Sequence, residues 1–368
     1  MKKCLLKGFF GHRNLGDDLL YEESISKIPS EYHIYTNGNC PYPEDLKREN
    51  VTLVHSFREI LSHKYDLTII NGGGYSPSVR YSWSSLIRDI LIRFRSKKMV
   101  INGVGLAPKI GTWNRLRYKM FLKMLDYCSV RDNISKGFID SLIGKGKCLN
   151  CHDLYFAKEL LPNCDKKEGV LVCIANPFGK AEMETEHFQQ RYHLLVSNIQ
   201  AAILRLKEIY GSVSFLPFYK GSDEIIIKDI MCHPRLADSY VLVNGIDFTV
   251  NNIDALFAKY KVGLCMRFHS FVLSVRNTLP FVGICYDYKS ESLLEEMNLP
   301  DVGVRYGIRK SDFFGIEQDF GENNIMSKVE YVVKNYAAIL NKLEYFRLRF
   351  NKEVNDNYKR IYSLIGKT

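Results

Sequence analysis

The densest group of chemically capable side chains in this 368-residue sequence is Cys265-Met266-Arg267-Phe268-His269-Ser270, which follows an apolar run and opens a stretch of helical spacing. A guanidinium and an imidazole at a helix N-terminus suit an anion, because free N–H groups and the helix dipole add to the fixed charge. Taken alone, the cluster has a plain structural reading, with His269 bonded to backbone at a helix start and Arg267 a surface ion-pair partner. The next apolar run, Phe281 to Tyr286, tilts the balance, because Asp287 and Lys289 follow it and neighbouring strand ends of a parallel sheet bring Lys289 towards His269. In the first half, Cys128-Ser129-Val130-Arg131 places Arg131 at another strand end, with Ser135 opening the next helix. Three cations and one imidazole around one cleft fit a small donor carrying both phosphate and carboxylate better than a neutral sugar.

Glycine-rich turns after strands form a second set of candidates: Gly11 to Asp18, Gly72-Gly73-Gly74, and Gly103 to Pro108. Such turns let backbone N–H groups approach a ligand, although they also serve folding alone. Asn14, Asp17, Gly73 and Gly74 are the expected contacts to an acceptor's hydroxyls, and the alternative for Asp17 is a helix N-cap. Tyr75, Tyr81 and Trp83 could form a sugar platform or simply be buried aromatics. Asp287 could orient Lys289 or cap a turn. No cluster of carboxylates or histidines has metal-ligand spacing, so no obligatory metal is expected.

The elements that must carry these residues alternate short apolar runs with longer amphipathic stretches, the βα rhythm of a parallel sheet. Expected strands are Leu5 to Phe10, Asp66 to Asn71, Lys98 to Asn102, Val170 to Ala175, Val213 to Leu216, Ser239 to Val243, Val262 to Cys265 and Phe281 to Tyr286. Expected helices begin near Leu19 and cover His193 to Tyr210, Ile253 to Lys259 and Ser270 to Arg276. The chain exceeds the roughly 250 to 300 residues at which one core stops growing. The reading is therefore an α/β protein of two Rossmann-like doubly wound domains, 1–162 on the acceptor side and 163–326 on the donor side, with C-terminal helices over 327–368 packing back on the body.

Composition is ordinary for a globular chain, with 46% hydrophobic and 25% charged residues. Several of the ten cysteines, such as Cys173, Cys265 and Cys285, sit inside apolar runs and read as reduced thiols. Cys148-Leu149-Asn150-Cys151-His152 matches a haem-attachment pattern and half of a zinc site, but such sites need export or a second ligand pair. The first residues read as a strand broken by Lys7, not as a signal peptide, and no run approaches the roughly 18 apolar residues of a spanning helix. A cytoplasmic location is expected. The net charge of +10 is concentrated between Arg80 and Lys123, where Asp89 is the single acid and Trp83, Phe94 and Trp113 accompany the cations. That stretch suits an anionic membrane surface or a polyprenyl phosphate, or is a solvated helix face; no motif accompanies it that would point to nucleic acid.

The ordered set of motifs resembles the polysaccharide pyruvyl transferases. It comprises Asn14-Leu15-Gly16-Asp17, Asp66 to Gly74, Gly103 to Pro108, Val130-Arg131-Asp132 with Ser135, His152-Asp153-Leu154, Leu216-Pro217-Phe218, Arg267 to Ser270, and Pro280 to Lys289. The resemblance implies a GT-B-like fold of two Rossmann-like domains, with phosphoenolpyruvate bound mainly by the second half and no further cofactor. It implies a sugar acceptor, free or polyprenyl-linked, in surface polysaccharide assembly at the inner face of the membrane. The family's important positions fall on Arg131, Arg267, His269 and Lys289, with Ser270 beside them. His269 is expected to give the proton, and Arg131, Arg267 and Lys289 to hold carboxylate and phosphate, Arg267 and Lys289 also aiding the chemistry.

A GT-B nucleotide-sugar glycosyltransferase would share the fold, but should offer an acid to a ribose, and none is evident in the sequence beside Arg267. A non-catalytic glycan-binding protein is the third reading, and would survive loss of His269.

Overall fold

The computed structural model describes residues 1–12, 14–37, 49–72, 81–106, 111–161, 168–178, 188–242, 252–306 and 321–364. Two compact units are formed, the first from Met1–Lys158 with Arg349–Thr368, the second from Glu159–Leu348.

The first unit holds a parallel sheet of β1 (Lys2–Lys7), β2 (Tyr32–Asn37), β3 (Val51–Val54), β4 (Tyr65–Asn71), β5 (Ser96–Val104), β6 (Tyr127–Val130) and β7 (Leu149–Asn150). Their spatial order is β3-β2-β1-β4-β5-β6-β7. The helices are α1 (Leu15–Lys27), α2 (Phe57–Ser62), α3 (Trp83–Phe94), α4 (Thr112–Leu122) and α5 (Asn133–Ile143). The second unit repeats the plan with β8 (Val170–Cys173), β9 (Val213–Phe215), β10 (Tyr240–Val241), β11 (Val262–Cys265), β12 (Phe281–Cys285) and β13 (Gly303–Arg305), ordered β10-β9-β8-β11-β12-β13. Its helices are α6 (Phe188–Tyr210), α7 (Asp223–Met231), α8 (Ile253–Lys259), α9 (Phe268–Arg276), α10 (Tyr288–Glu296) and α11 (Glu322–Lys334).

Both sheets are doubly wound, with the order reversing beside their first strands, at β1/β4 and at β8/β11. Ligands of such sheets bind outside the carboxyl ends at that reversal, where the connections leave in opposite directions. Strands covered on both faces read as unbroken apolar runs, as in the fully buried Val262 to Cys265.

Local chemistry moves several boundaries from their expected places. Helix α1 starts at Leu15, not near Leu19, because the Asn14 side chain accepts from Gly16 N at 3.2 Å and caps it. Helix α9 starts at Phe268, two residues before Ser270, with Arg267 as its extended N-cap residue. The strand expected over Leu5 to Phe10 spans Lys2–Lys7, so Gly8 to Phe10 lie beyond it.

The C-terminal helix α12 (Tyr336–Ser363) serves both units in turn. In the second, Tyr336 donates to Lys261 O at 3.0 Å. In the first, Ile361 is buried with Cys4, Leu6, Leu67 and Val100, Asn357 donates to Asn102 Oδ1 at 2.7 Å, and Asn351 donates to Phe156 O at 2.7 Å.

Candidate functional site

At the switch point of the second sheet, Arg267 follows β11 and turns its guanidinium onto Asp223, the first residue of α7. Nε donates to Asp223 Oδ2 at 3.0 Å, and Nη2 donates to Oδ1. Asp223 is fully buried and also accepts from Phe218 N at 3.1 Å, Tyr219 N at 2.9 Å and Asn176 N at 3.4 Å. One carboxylate thus ties together the chain leaving β8, β9 and β11. Arg267 also lies beside Tyr286, just past β12, and over the Tyr219 ring at 5.8 Å. Burial works against the Arg267 charge, but Tyr286 and Asp223 outweigh it and hold its pKa above the usual value. Burial pushes the Tyr286 phenol up, and Arg267 opposes that rise. The Arg267 side chain keeps 20% of its surface exposed. An arginine so braced has its orientation fixed before any ligand arrives.

His269, the second residue of α9, is nearly buried, its ring edge-on to Phe268 with centroids 5.5 Å apart. Ser270 is buried and its hydroxyl donates to Arg267 O at 2.6 Å, so that hydroxyl closes the turn that presents Arg267. On the adjoining strand β12, in register with β11 through Cys265 and Gly283, the chain continues to Asp287 and α10. Asp287 both caps α10, accepting from Lys289 N at 3.1 Å, and pairs with Lys289 Nζ at 3.5 Å. Arg267, His269 and Lys289 therefore leave the same edge of one sheet from neighbouring strands.

Arg131 belongs to the first unit. It is buried, 3.8 Å from Asp153, and lies against the backbone of Gly105, where a Cβ would stand 2.6 Å from Nε. Asp132 caps α5 through Ser135 N at 2.6 Å, and the Ser135 hydroxyl accepts from Leu106 N at 2.8 Å. The motif thus locks the ends of β5 and β6 together. His152, held at φ 66°, bonds the Glu353 carboxylate, which with help from Arg349 is drawn down to about 2.

At the end of β1, Asn14 Nδ2 donates to Asp17 Oδ2 at 2.7 Å. The N-cap is Asn14, so the alternative reading of Asp17 as the cap is corrected; Asp17 is a buried partner of that cap. Its neighbour Asp18, given no role of its own from the sequence, accepts from Gly11 N at 3.2 Å. Burial lifts the Asp18 carboxyl to about 7, opposed by the Gly11 N–H and helped by Asp17. Gly73, Gly74 and Tyr75 lie outside the described residues. Tyr81 is a core residue, bonded to Asp89 at 2.8 Å and stacked on Tyr118, so it forms no sugar platform.

Sequence reasoning missed Asp223 and Tyr286. The signal for Asp223 was a helix start, Gly221-Ser222-Asp223-Glu224, just after the Leu216-Pro217-Phe218 turn. Its presence also corrects the statement that no acid stands beside Arg267. Guanidinium and backbone N–H groups occupy both of its carboxylate oxygens. A cavity of about 400 Å³ opens at β12 and β13, lined by Cys285, Glu291, Gly303, Arg305 and Lys328, and includes none of the expected site residues. Cys148 and Cys151 are buried free thiols, and among the described residues no group of three or more His, Cys, Asp or Glu is placed to hold a metal. No described helix is long and apolar enough to cross a membrane.

Comparison with solved structures places the fold among GT-B enzymes. A putative UDP-N-acetylglucosamine 2-epimerase from Listeria monocytogenes superposes with a TM-score of 0.59 at 10% identity, covering 100% of this chain and 98% of its own. Sucrose-phosphate synthase from Thermosynechococcus elongatus gives 0.55 at 11% identity, with the same coverages. S. aureus MnaA with UDP gives 0.55 at 9%, covering 93% and 90%. These likenesses concern the fold. No curated protein matches in sequence. A family model, polysaccharide pyruvyl transferase, matches residues 14–288, a span that contains Arg131, Asp223, Arg267 and His269 and ends one residue before Lys289. With three quarters of its length so matched, the chain belongs to the polysaccharide pyruvyl transferase family.

Proposed function

We propose that the protein transfers the pyruvyl group of phosphoenolpyruvate to two hydroxyls of one sugar, forming a ketal, with no further cofactor. The observation that carries the reading is the Asp223-braced Arg267, partly exposed at the switch point, with His269 in the following helical turn. In the reaction His269 protonates the methylene carbon, leaving a cationic C2 that a sugar hydroxyl attacks. Loss of that hydroxyl's proton to His269 and departure of phosphate regenerate an electrophilic C2, to which the second hydroxyl adds as its O–H proton passes to the released phosphate. Arg267 and Lys289 hold carboxylate and phosphate, the role expected of Arg131 as well, and Asn14, Asp17, Gly73 and Gly74 are the proposed acceptor contacts. The acceptor is a sugar of a surface polysaccharide or of its lipid-linked precursor, met in the cytoplasm. Buried free thiols support that compartment.

The test is incubation with phosphoenolpyruvate and a panel of free and lipid-linked saccharides, following inorganic phosphate and the mass of the acceptor. Phosphate release matched by a pyruvyl mass gain is expected. Turnover of nucleotide sugars in a parallel incubation, with phosphoenolpyruvate untouched, would overturn the reading in favour of a glycosyltransferase.

A further inference from the structure

Helices α3 and α4 pack side by side on the first sheet, and both turn apolar side chains to solvent as well as to the core. On α3 the exposed residues include Trp83, Ile87, Leu91 and Phe94, which share one helical arc; on α4 they include Trp113, Leu116 and Met120, which share another. Phe94 is 82% exposed and Trp113 69%, too much for side chains that merely edge a core. The Arg117 guanidinium lies over the Trp83 ring at 5.3 Å and joins the two arcs. Contiguous exposed apolar surface of this kind marks an interaction site.

Charge indicates the partner. Within 81–106 and 111–124 the sequence has nine Lys and Arg and one acid, Asp89. That acid is buried and neutralised by Lys7 at 2.7 Å. Arg88, Lys119 and Lys123 are exposed at the border of the apolar arcs, with Arg115 and Arg117 partly so. Aromatic and aliphatic side chains rimmed by cations that pair with no acid among the described residues are the composition of a helix face that settles into an anionic headgroup layer.

We propose that the outer face of α3 and α4 is a docking surface for an anionic lipid bilayer, entered by Phe94, Leu91, Trp113 and Leu116 and held by the surrounding lysines and arginines. The proposal is independent of what the switch-point residues bind, so it stands or falls without reference to pyruvyl transfer.

Trp83 and Trp113 are the two tryptophans of the whole chain, so tryptophan fluorescence, excited selectively over tyrosine, reports on this face alone. The experiment mixes the full-length protein, without substrate, with phosphatidylcholine vesicles and with vesicles containing phosphatidylglycerol, some brominated along the acyl chain. A blue shift, quenching by bromolipid and sedimentation with the anionic vesicles are expected, weakening as salt rises. Leu91→Glu with Leu116→Glu should weaken sedimentation at least tenfold. Lys119→Glu with Lys123→Glu should cost roughly fivefold per cation and reduce the preference for anionic lipid. Unchanged tryptophan emission in the wild type would overturn the proposal whether or not the variants fold. So would light scattering that shows a dimer split by the leucine variants, which would give the face to a second copy of the chain.

Discussion

Arg267 and Asp223 meet through two hydrogen bonds across 44 positions of sequence, and the carboxylate that orients the guanidinium also gathers three backbone N–H groups from two other loops. The switch-point edge of the second sheet is therefore assembled around a single buried acid.

Asp223→Ala should destabilise the protein by about 3 kcal/mol or more, the usual result of stripping a buried charge of its partner. Urea unfolding measures that cost. Asp223→Asn, which keeps the shape, should raise KM for the donor more than it lowers kcat. Arg267→Lys should not restore donor binding, because an ammonium cannot make the paired contact.

His269→Ala should leave the melting temperature nearly unchanged and reduce turnover by roughly 100- to 10,000-fold, the range of general acid catalysis. Phosphate release under saturating donor is the measurement, and turnover at the wild-type rate would remove His269 as proton donor. Arg267→Ala, by contrast, should lose both donor affinity and stability, since it strands the Asp223 carboxylate.

Two carboxyls give opposite pH signatures. Asp18 titrates near 7 in the folded chain against 3.8 ordinarily, so the native state binds its proton more tightly than the unfolded state does. Stability then falls as pH rises from about 4 to 7, by on the order of 2 to 4 kcal/mol. Asp18→Asn should abolish that slope and raise stability at pH 8. Glu353, drawn down to about 2 by His152 and Arg349, acts in reverse. Its contribution is present above about 4.5 and lost as pH falls towards 2, and Glu353→Gln should flatten the acid limb of a stability profile.

Gly105→Ala should cost about 1 to 3 kcal/mol, because the new methyl group meets the buried Arg131 guanidinium and displaces it from Asp153. Combining it with Arg131→Ala tests the contact: the double variant should be more stable than the sum of the two single losses implies.

Much of this was legible from apolar runs and glycines. Val262–Cys265 and Ile253–Lys259 fall where their sequence pattern puts them, because buried parallel strands and amphipathic helices leave periodic traces. Helix starts were less legible, since Asn14 and Asp287 act through one side-chain oxygen each, which hydropathy does not register. Asp223 was hidden for a different reason. Its partners Asn176, Phe218 and Arg267 are joined only by the strand order β9-β8-β11, a long-range property that no local spacing encodes. Asp18 was passed over because its significance lies in burial, which local spacing does not encode.

The last helix bears on the order in which the molecule can be completed. Ile361 and Asn357 fill places among Cys4, Leu6 and Asn102, so the lobe that leaves the ribosome first stays unfinished until residues near the end of the chain have been made. A nascent first lobe exposes that gap throughout synthesis of the second, a window in which chaperones or aggregation compete for it. Trimming residues after Arg349 should accordingly injure the amino-terminal core rather than the carboxyl-terminal one.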